Sequence, residues 1–205
     1  MINWTVLTLG RFSRNRYWGE DDAKSHRDAL CTSTLIHANG LNILVDPAMT
    51  GPEMATALNG AAGLKPEQID IVYITHSHGD HYVGLLDFSH ARWLCAPQET
   101  DAIKTSFSDE PGIAAKIHPA SDELAPGVKL IALPGHTLGL AGLIFESRDG
   151  VVVVAGDAVM TRDFFDDRRG YYNSVDFTLS TQSINIIADT ADIVVPGHAN
   201  YFLVK

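Results

Sequence analysis

Three histidines fall within six residues in Thr75-His76-Ser77-His78-Gly79-Asp80-His81, and two more, His136 and His198, each follow a Pro-Gly pair. On extended backbone an i, i+2 pair points the same way, so His76 and His78 can serve one metal ion together with one further histidine. Gly79 permits a sharp turn, after which Asp80 and His81 face a slightly different centre, which implies a second ion. Imidazole plus carboxylate is a borderline donor set suited to zinc, with iron and manganese as alternatives. Asp157 closes the apolar run Val151-Val152-Val153-Val154-Ala155-Gly156 and is a further candidate. His136, Asp157 and His198 each follow a glycine, whose conformational freedom lets the chain turn and aim a polar side chain into a pocket. The other four histidines, His26, His37, His90 and His118, stand outside any such pattern and are read as structural or surface residues.

These residues need rigid elements to hold them. Residues 3–9, 33–37 and 41–46 read as strands, the last two joined at Asn39-Gly40, a hairpin signal. The near-continuous apolar run 69–74 reads as a strand buried on both faces. Helices are expected at 52–59, 66–68, from about 81, at 97–106 and at 178–189. Further strands are expected at 91–95, 128–133, 140–146, 151–156 and 191–195, with Arg148-Asp149-Gly150 as a turn. Two strand-rich stretches, each carrying helices, predict an α/β sandwich with sheets inside and helices outside. Nothing divides the 205 residues, so one domain over 1–205 is expected. The polar segments 11–31 and 161–177 are long for connections and read as binding loops.

The composition sets bounds. Fifteen Lys+Arg against 25 Asp+Glu give a formal charge of −10, which argues against a broad, salt-dependent binder of nucleic acid or anionic lipid. The two cysteines, Cys31 and Cys95, match no zinc-ribbon spacing and are expected to be free thiols. Met1 to Leu7 reads as a first strand rather than a signal peptide, and no apolar run approaches a bilayer's thickness. The expected location is the cytoplasm, with no membrane partner.

Taken in order, strand–Thr-His-x-His-x-Asp-His, Pro-Gly-His-Thr, Gly-Asp and Pro-Gly-His resemble the metallo-β-lactamase superfamily of metal-dependent hydrolases. Leu44-Val45-Asp46 resembles its early aspartate motif, so the likeness runs from residue 44 to 198. Residues 152–157 and 191–198 are most similar to the small single-domain members. The resemblance implies an αββα sandwich of two mixed sheets flanked by helices. It implies that His76, His78 and His136 ligate a first divalent ion, that Asp80, His81 and His198 ligate a second, and that Asp157 bridges them. Asp46 would orient a ligand. One departure is Pro47-Ala48 directly after Asp46, where many members carry a glycine close behind the aspartate.

The implied chemistry is hydrolysis of an ester-type bond, a lactone, thioester or similar, in a small molecule. Two cations about 3.5–4 Å apart make a bridging hydroxide available at neutral pH, and Asp80 would align it as the catalytic carboxylate. Tyr171, Tyr172, Asn200 and Tyr201 are candidates for contacting substrate. A phosphodiesterase or endoribonuclease is the alternative enzyme, with RNA as its partner. Against it, Arg162, Arg168 and Arg169 are interleaved with Asp163, Asp166 and Asp167. A mononuclear iron oxygenase and a non-catalytic metal-binding protein are the remaining alternatives. A homodimer is common in the family.

Overall fold

The computed structural model describes residues 1–204. Strand β1 (Asn3–Thr8) pairs antiparallel with β2 (Ser33–Ala38), which turns at Asn39-Gly40 into β3 (Leu41–Val45). Asn39 and Gly40 have φ of 53° and 81°, the paired left-handed conformation that suits a two-residue hairpin turn. Helix α1 (Gly51–Ala62) then leads to β4 (Ile71–Ile74), which lies parallel to β3. Next come β5 (Arg92–Cys95), α2 (Thr100–Thr105), α3 (Pro111–Ala114) and β6 (Ile117–Pro119). These complete a mixed sheet in the order β1-β2-β3-β4-β5-β6.

The second sheet is built from β7 (Glu123–Ala125), β8 (Val128–Ala132), β9 (Ala141–Ser147) and β10 (Gly150–Gly156). After α4 (Arg162–Asp166) and α5 (Phe177–Thr190), it is completed by β11 (Ile193–Pro196) and β12 (Phe202–Leu203). Its order is β12-β11-β10-β9-β8-β7, with β10 and β11 parallel and the rest antiparallel.

The apolar runs show why the sheets lie face to face. In β4, Ile71 and Tyr73 join the core between the sheets with Val152, Val154, Ile193 and Val195. Val72 and Ile74 point the other way, into a layer with Met54 and Leu58 of α1. On the far side, Val153, Ala155 and Val194 pack against Ile184 and Ile187 of α5. Side chains alternate across a strand, so a strand covered on both faces must be apolar throughout. The result is the expected αββα sandwich.

The helix expected from about residue 81 does not form. Single 3-10 turns stand at Gly79–His81 and Leu85–Phe88 instead. The Gly84 N–H donates to Pro47 O at 2.9 Å and the Trp93 indole N–H to Phe88 O at 2.8 Å, contacts that tie this segment to the residue pair after β3 and to β5. The 66–68 segment is likewise a 3-10 turn. Strands β6, β7 and β12 and helices α3 and α4 were not expected from the sequence pattern; the strands are two or three residues long. Cys31 and Cys95 are free and buried. Among the described residues no helix is long and apolar enough to cross a membrane.

Candidate metal centre

The carboxyl ends of β3, β4, β8, β10 and β11 converge on one rim of the sandwich, where α/β folds place their ligands. β4 delivers His76, His78, Asp80 and His81; the connection after β8 delivers His136; β10 delivers Asp157, and β11 delivers His198. Two donor groups result, His76, His78, His136 and Asp157 in one, and Asp80, His81 and His198 in the other. The four histidines outside the motifs are all exposed.

In the first group, His78 Nδ1 lies 3.0 Å from His76 Nε2 and 2.9 Å from His136 Nε2. Asp157 presents Oδ2 to His136 Nε2 at 3.2 Å and to His76 Nε2 at 3.8 Å. Its other oxygen, Oδ1, faces the second group, 3.2 Å from both His81 Nε2 and His198 Nε2. His198 Nε2 is also 3.6 Å from Asp80 Oδ2. One buried carboxylate therefore addresses both groups with one oxygen each.

This donor set fits metal ions. Ligand atoms about 2.0–2.1 Å from one tetrahedral ion lie roughly 3.3 Å apart, close to the separations within the first group. His81 Nε2 and Asp157 Oδ1 are buried with no hydrogen-bond partner among the described residues, although they face one another. Buried polar atoms ordinarily find partners, and converging lone pairs are what a cation satisfies.

Charge in the site follows the same division. Burial, reinforced by His81, holds His76 well below the usual histidine range, and burial with His136 lowers His78. Burial opposes the charged form of Asp157, but His198, His81 and His136 outweigh it and hold its carboxyl well below the usual range. Burial opposes charge on His81 too, yet Asp157 and Asp46 outweigh it and raise this imidazole well above the usual range. For His198 burial is likewise outweighed, by Asp157, and its pKa is raised.

The outer ring nitrogens are fixed by the fold. Asp46 Oδ2 lies 2.9 Å from His81 Nδ1 and accepts the Thr75 hydroxyl at 2.8 Å, while its Oδ1 accepts the Thr75 N–H at 2.8 Å. The Thr75 Oγ1 is in turn 3.1 Å from His76 Nδ1. Asp46 thus orients one histidine of each group, directly or through Thr75, an arrangement that sets tautomer and ring angle. The turn after Asp46, put in question by Pro47, is made by Asp46 itself at φ 51°, held by its N–H donating to Tyr73 O at 3.0 Å. Two of the motif glycines are required by close approach. At Gly156, φ is 51° and a Cβ would stand 2.7 Å from Thr75 Oγ1; at Gly197 a Cβ would meet Asp157 Oδ1 at 2.0 Å.

Three supports were not expected from the sequence. Buried Glu99 accepts the Ser77 N–H at 2.9 Å and the Thr137 hydroxyl at 2.7 Å, joining the His76–His78 segment to the turn that carries His136. His198 Nδ1 lies 2.9 Å from Leu30 O and 3.0 Å from Arg11 O, so backbone of the 11–31 segment orients this ring. Phe12, Met160, Phe164 and Tyr171 form a buried cluster joining the 11–31 and 161–177 segments. Its only advance sign was the length and polarity of those loops.

Both loops wall a cavity of about 300 Å3 over the centre. Its lining includes Phe12, Ser13, Met160, Tyr171, Tyr172 and Asn173 beside His78, Asp80, Asp157 and His198. Of the four candidate substrate contacts, Tyr171 and Tyr172 therefore lie at the cavity. The Tyr171 hydroxyl is already engaged, donating to Arg14 O at 2.8 Å. Asn200 and Tyr201 lie outside the cavity lining; both are exposed, and the Tyr201 ring rests edge-on against Trp4 at 5.2 Å. Of the arginines weighed for phosphate binding, Arg162 pairs with Asp166 at 3.5 Å and Arg168 lies over the Phe165 ring at 4.5 Å.

Comparisons with known proteins agree with this geometry. The N-acyl homoserine lactonase of Bacillus cereus is 28% identical over 162 residues, 74% of this chain and 64% of the relative. Metallo-beta-lactamase domain-containing protein 1 of Xenopus laevis is 30% identical over 168 residues, 80% and 69% of the two chains. Among solved structures, AidC, a dizinc quorum-quenching lactonase in complex with its product, superposes with a TM-score of 0.66 at 20% identity. That match covers 83% of this chain and 72% of AidC. The chain spans less than two thirds of the length of the Bacillus cereus lactonase. Residues 26–198 match the model of the metallo-beta-lactamase superfamily, and with the two donor groups in the places that its motifs require, the chain belongs to that family.

Proposed function

We propose that this chain is a dinuclear-metal hydrolase that opens a lactone or a related ester of a small molecule, with zinc in both positions. The observation that carries the reading is Asp157, buried between two donor groups on the floor of a cavity and offering one oxygen to each. Two divalent ions held there would lower the pKa of a water molecule and polarise the substrate's oxygen. His76, His78 and His136 with Asp157 Oδ2 would hold one ion; Asp80, His81 and His198 with Asp157 Oδ1 would hold the other. Asp80, partly exposed at the cavity wall, would accept a hydrogen bond from the attacking water and keep it aligned. Phe12, Met160 and Tyr171 exclude bulk solvent from one side, which strengthens the electrostatics inside. The lactonase relatives support the ester bond as the target, and the dizinc centre of AidC supports zinc.

The test is elemental analysis followed by turnover. Protein purified without chelator is expected to carry about two zinc ions per chain and to hydrolyse lactones in preference to phosphodiesters or RNA. Chelation should abolish turnover, and zinc should restore it. Metal-replete protein that cuts RNA and leaves lactones and esters intact would overturn the ester reading.

A further inference from the structure

Beside the metal cavity lies a second hollow, of about 420 Å3, bounded by Arg16, Asp22, Phe164, Arg169, Tyr172 and Phe177. Tyr172 lines both spaces, so the two share one aromatic wall. Of the carboxylates here, Asp22 pairs with Arg16 at 3.6 Å and Asp167 accepts the Tyr17 hydroxyl at 2.6 Å. Arg169 is exposed, and among the described residues it has no carboxylate within ion-pair distance. The Arg14 guanidinium, also without a carboxylate partner, donates to the Asp22 backbone carbonyl at 2.5 Å and lies 4.3 Å over the Tyr172 ring. In a chain of net charge −10, two guanidinium groups without a carboxylate partner therefore stand beside one aromatic wall. A guanidinium fork matches the geometry of carboxylate and phosphate, and the Tyr172 and Phe177 rings suit an apolar connector.

We propose that Arg169, with Arg14 behind Tyr172, binds an oxyanion carried by the substrate at the end remote from the bond that is cleaved. The preferred substrate is then an acidic ester or lactone rather than a neutral one. The inference rests on the hydrolase reading above, so binding and turnover are tested separately.

For turnover, the zinc-loaded enzyme is given lactones sharing one scissile bond and ending in a methylamide, a carboxylate or a phosphate. The acidic members should show a KM about tenfold lower than the neutral one. Arg169→Gln should erase that advantage with kcat retained, Arg169→Lys should recover part of it, and added salt should erode it. The better of the two acids identifies the natural group. For binding, calorimetry with glutarate and phenyl phosphate compares wild type with Arg169→Gln. Any binding at the metals is common to both proteins, so an approximately tenfold weakening reports the subsite alone. Equal KM for acidic and neutral substrates, or equal probe binding by the two proteins, overturns the subsite. Arg169-dependent probe binding without hydrolysis of any lactone overturns the hydrolase reading and supports the subsite.

Discussion

The two donor groups share Asp157 but are held in different ways. Around His76, His78 and His136 the supports are side chains anchored on strands and short turns, Thr75 behind His76 and Glu99 bridging Ser77 and Thr137, while Asp46 serves both groups, through Thr75 and directly at His81. Burial keeps the His76 and His78 imidazoles in their neutral form, ready to ligate. Around His198 the support is the backbone of a long loop, the carbonyls of Arg11 and Leu30, and Asp80 is partly open to solvent. His81 and His198 favour the proton, which an incoming ion must displace. The first group is part of the sandwich, while the second is completed by a loop packed over it. An ion in the second group should therefore be the easier to lose.

The largest effect should come from the residue that belongs to both groups. Asp157→Asn keeps the shape and removes the charge, and metal content should fall from about two ions per chain to nearly none, with turnover lost in parallel. Circular dichroism should remain that of the folded protein. One retained ion per chain would show that the groups assemble independently, and the shared carboxylate would then be no bridge.

The loop gives a sharper way to part the two. Phe12 is buried among Met160, Phe164 and Tyr171, and its ring lies 6.2 Å from that of His198. Phe12→Ala should cost about 3–5 kcal/mol of local packing and loosen the Arg11 and Leu30 carbonyls behind His198. Metal analysis after brief dialysis against a weak chelator should then find about one ion per chain where wild type keeps two. Equal loss of both ions would break the distinction between a sandwich-held and a loop-held group.

What could be read from the sequence followed the same line. The seven ligand candidates were legible because few residue types ligate metals and the spacing of each motif is tied to a strand end, as the strands before His76, Asp157 and His198 show. The layers were legible because β4, β10 and β11 must be apolar on both faces. Contacts between distant segments left no such signal. Glu99 looks like any acidic residue after Pro97, and the carbonyls that orient His198 belong to residues 187 and 168 positions away, where no side-chain type marks their role. Asn200 and Tyr201 follow His198 closely in sequence, but the chain passes them at the surface and pairs Phe202 and Leu203 with β11. Nearness to His198 along the chain does not bring Asn200 and Tyr201 into the cavity lining.

The smallest expected effect tests the support of the first group. Replacing Glu99 with Gln leaves an acceptor for the Ser77 N–H and an amide N–H2 that the Thr137 hydroxyl can accept by rotating, so metal binding should hardly change. Glu99→Ala leaves the part-buried Ser77 N–H and Thr137 hydroxyl without their partner, at a cost of about 1 kcal/mol each, the low end for an unpaired polar group because water can reach them. Thermal unfolding should therefore shift down for Glu99→Ala and barely for Glu99→Gln. In Glu99→Ala, the weakened ion should be the one held by His76, His78 and His136, the reverse of the order expected for Phe12→Ala. Cobalt substitution followed by absorption spectroscopy would show which group empties first. If both variants empty the His198 group first, the supports do not divide the centre as its hydrogen bonds do, and the loop alone governs metal retention.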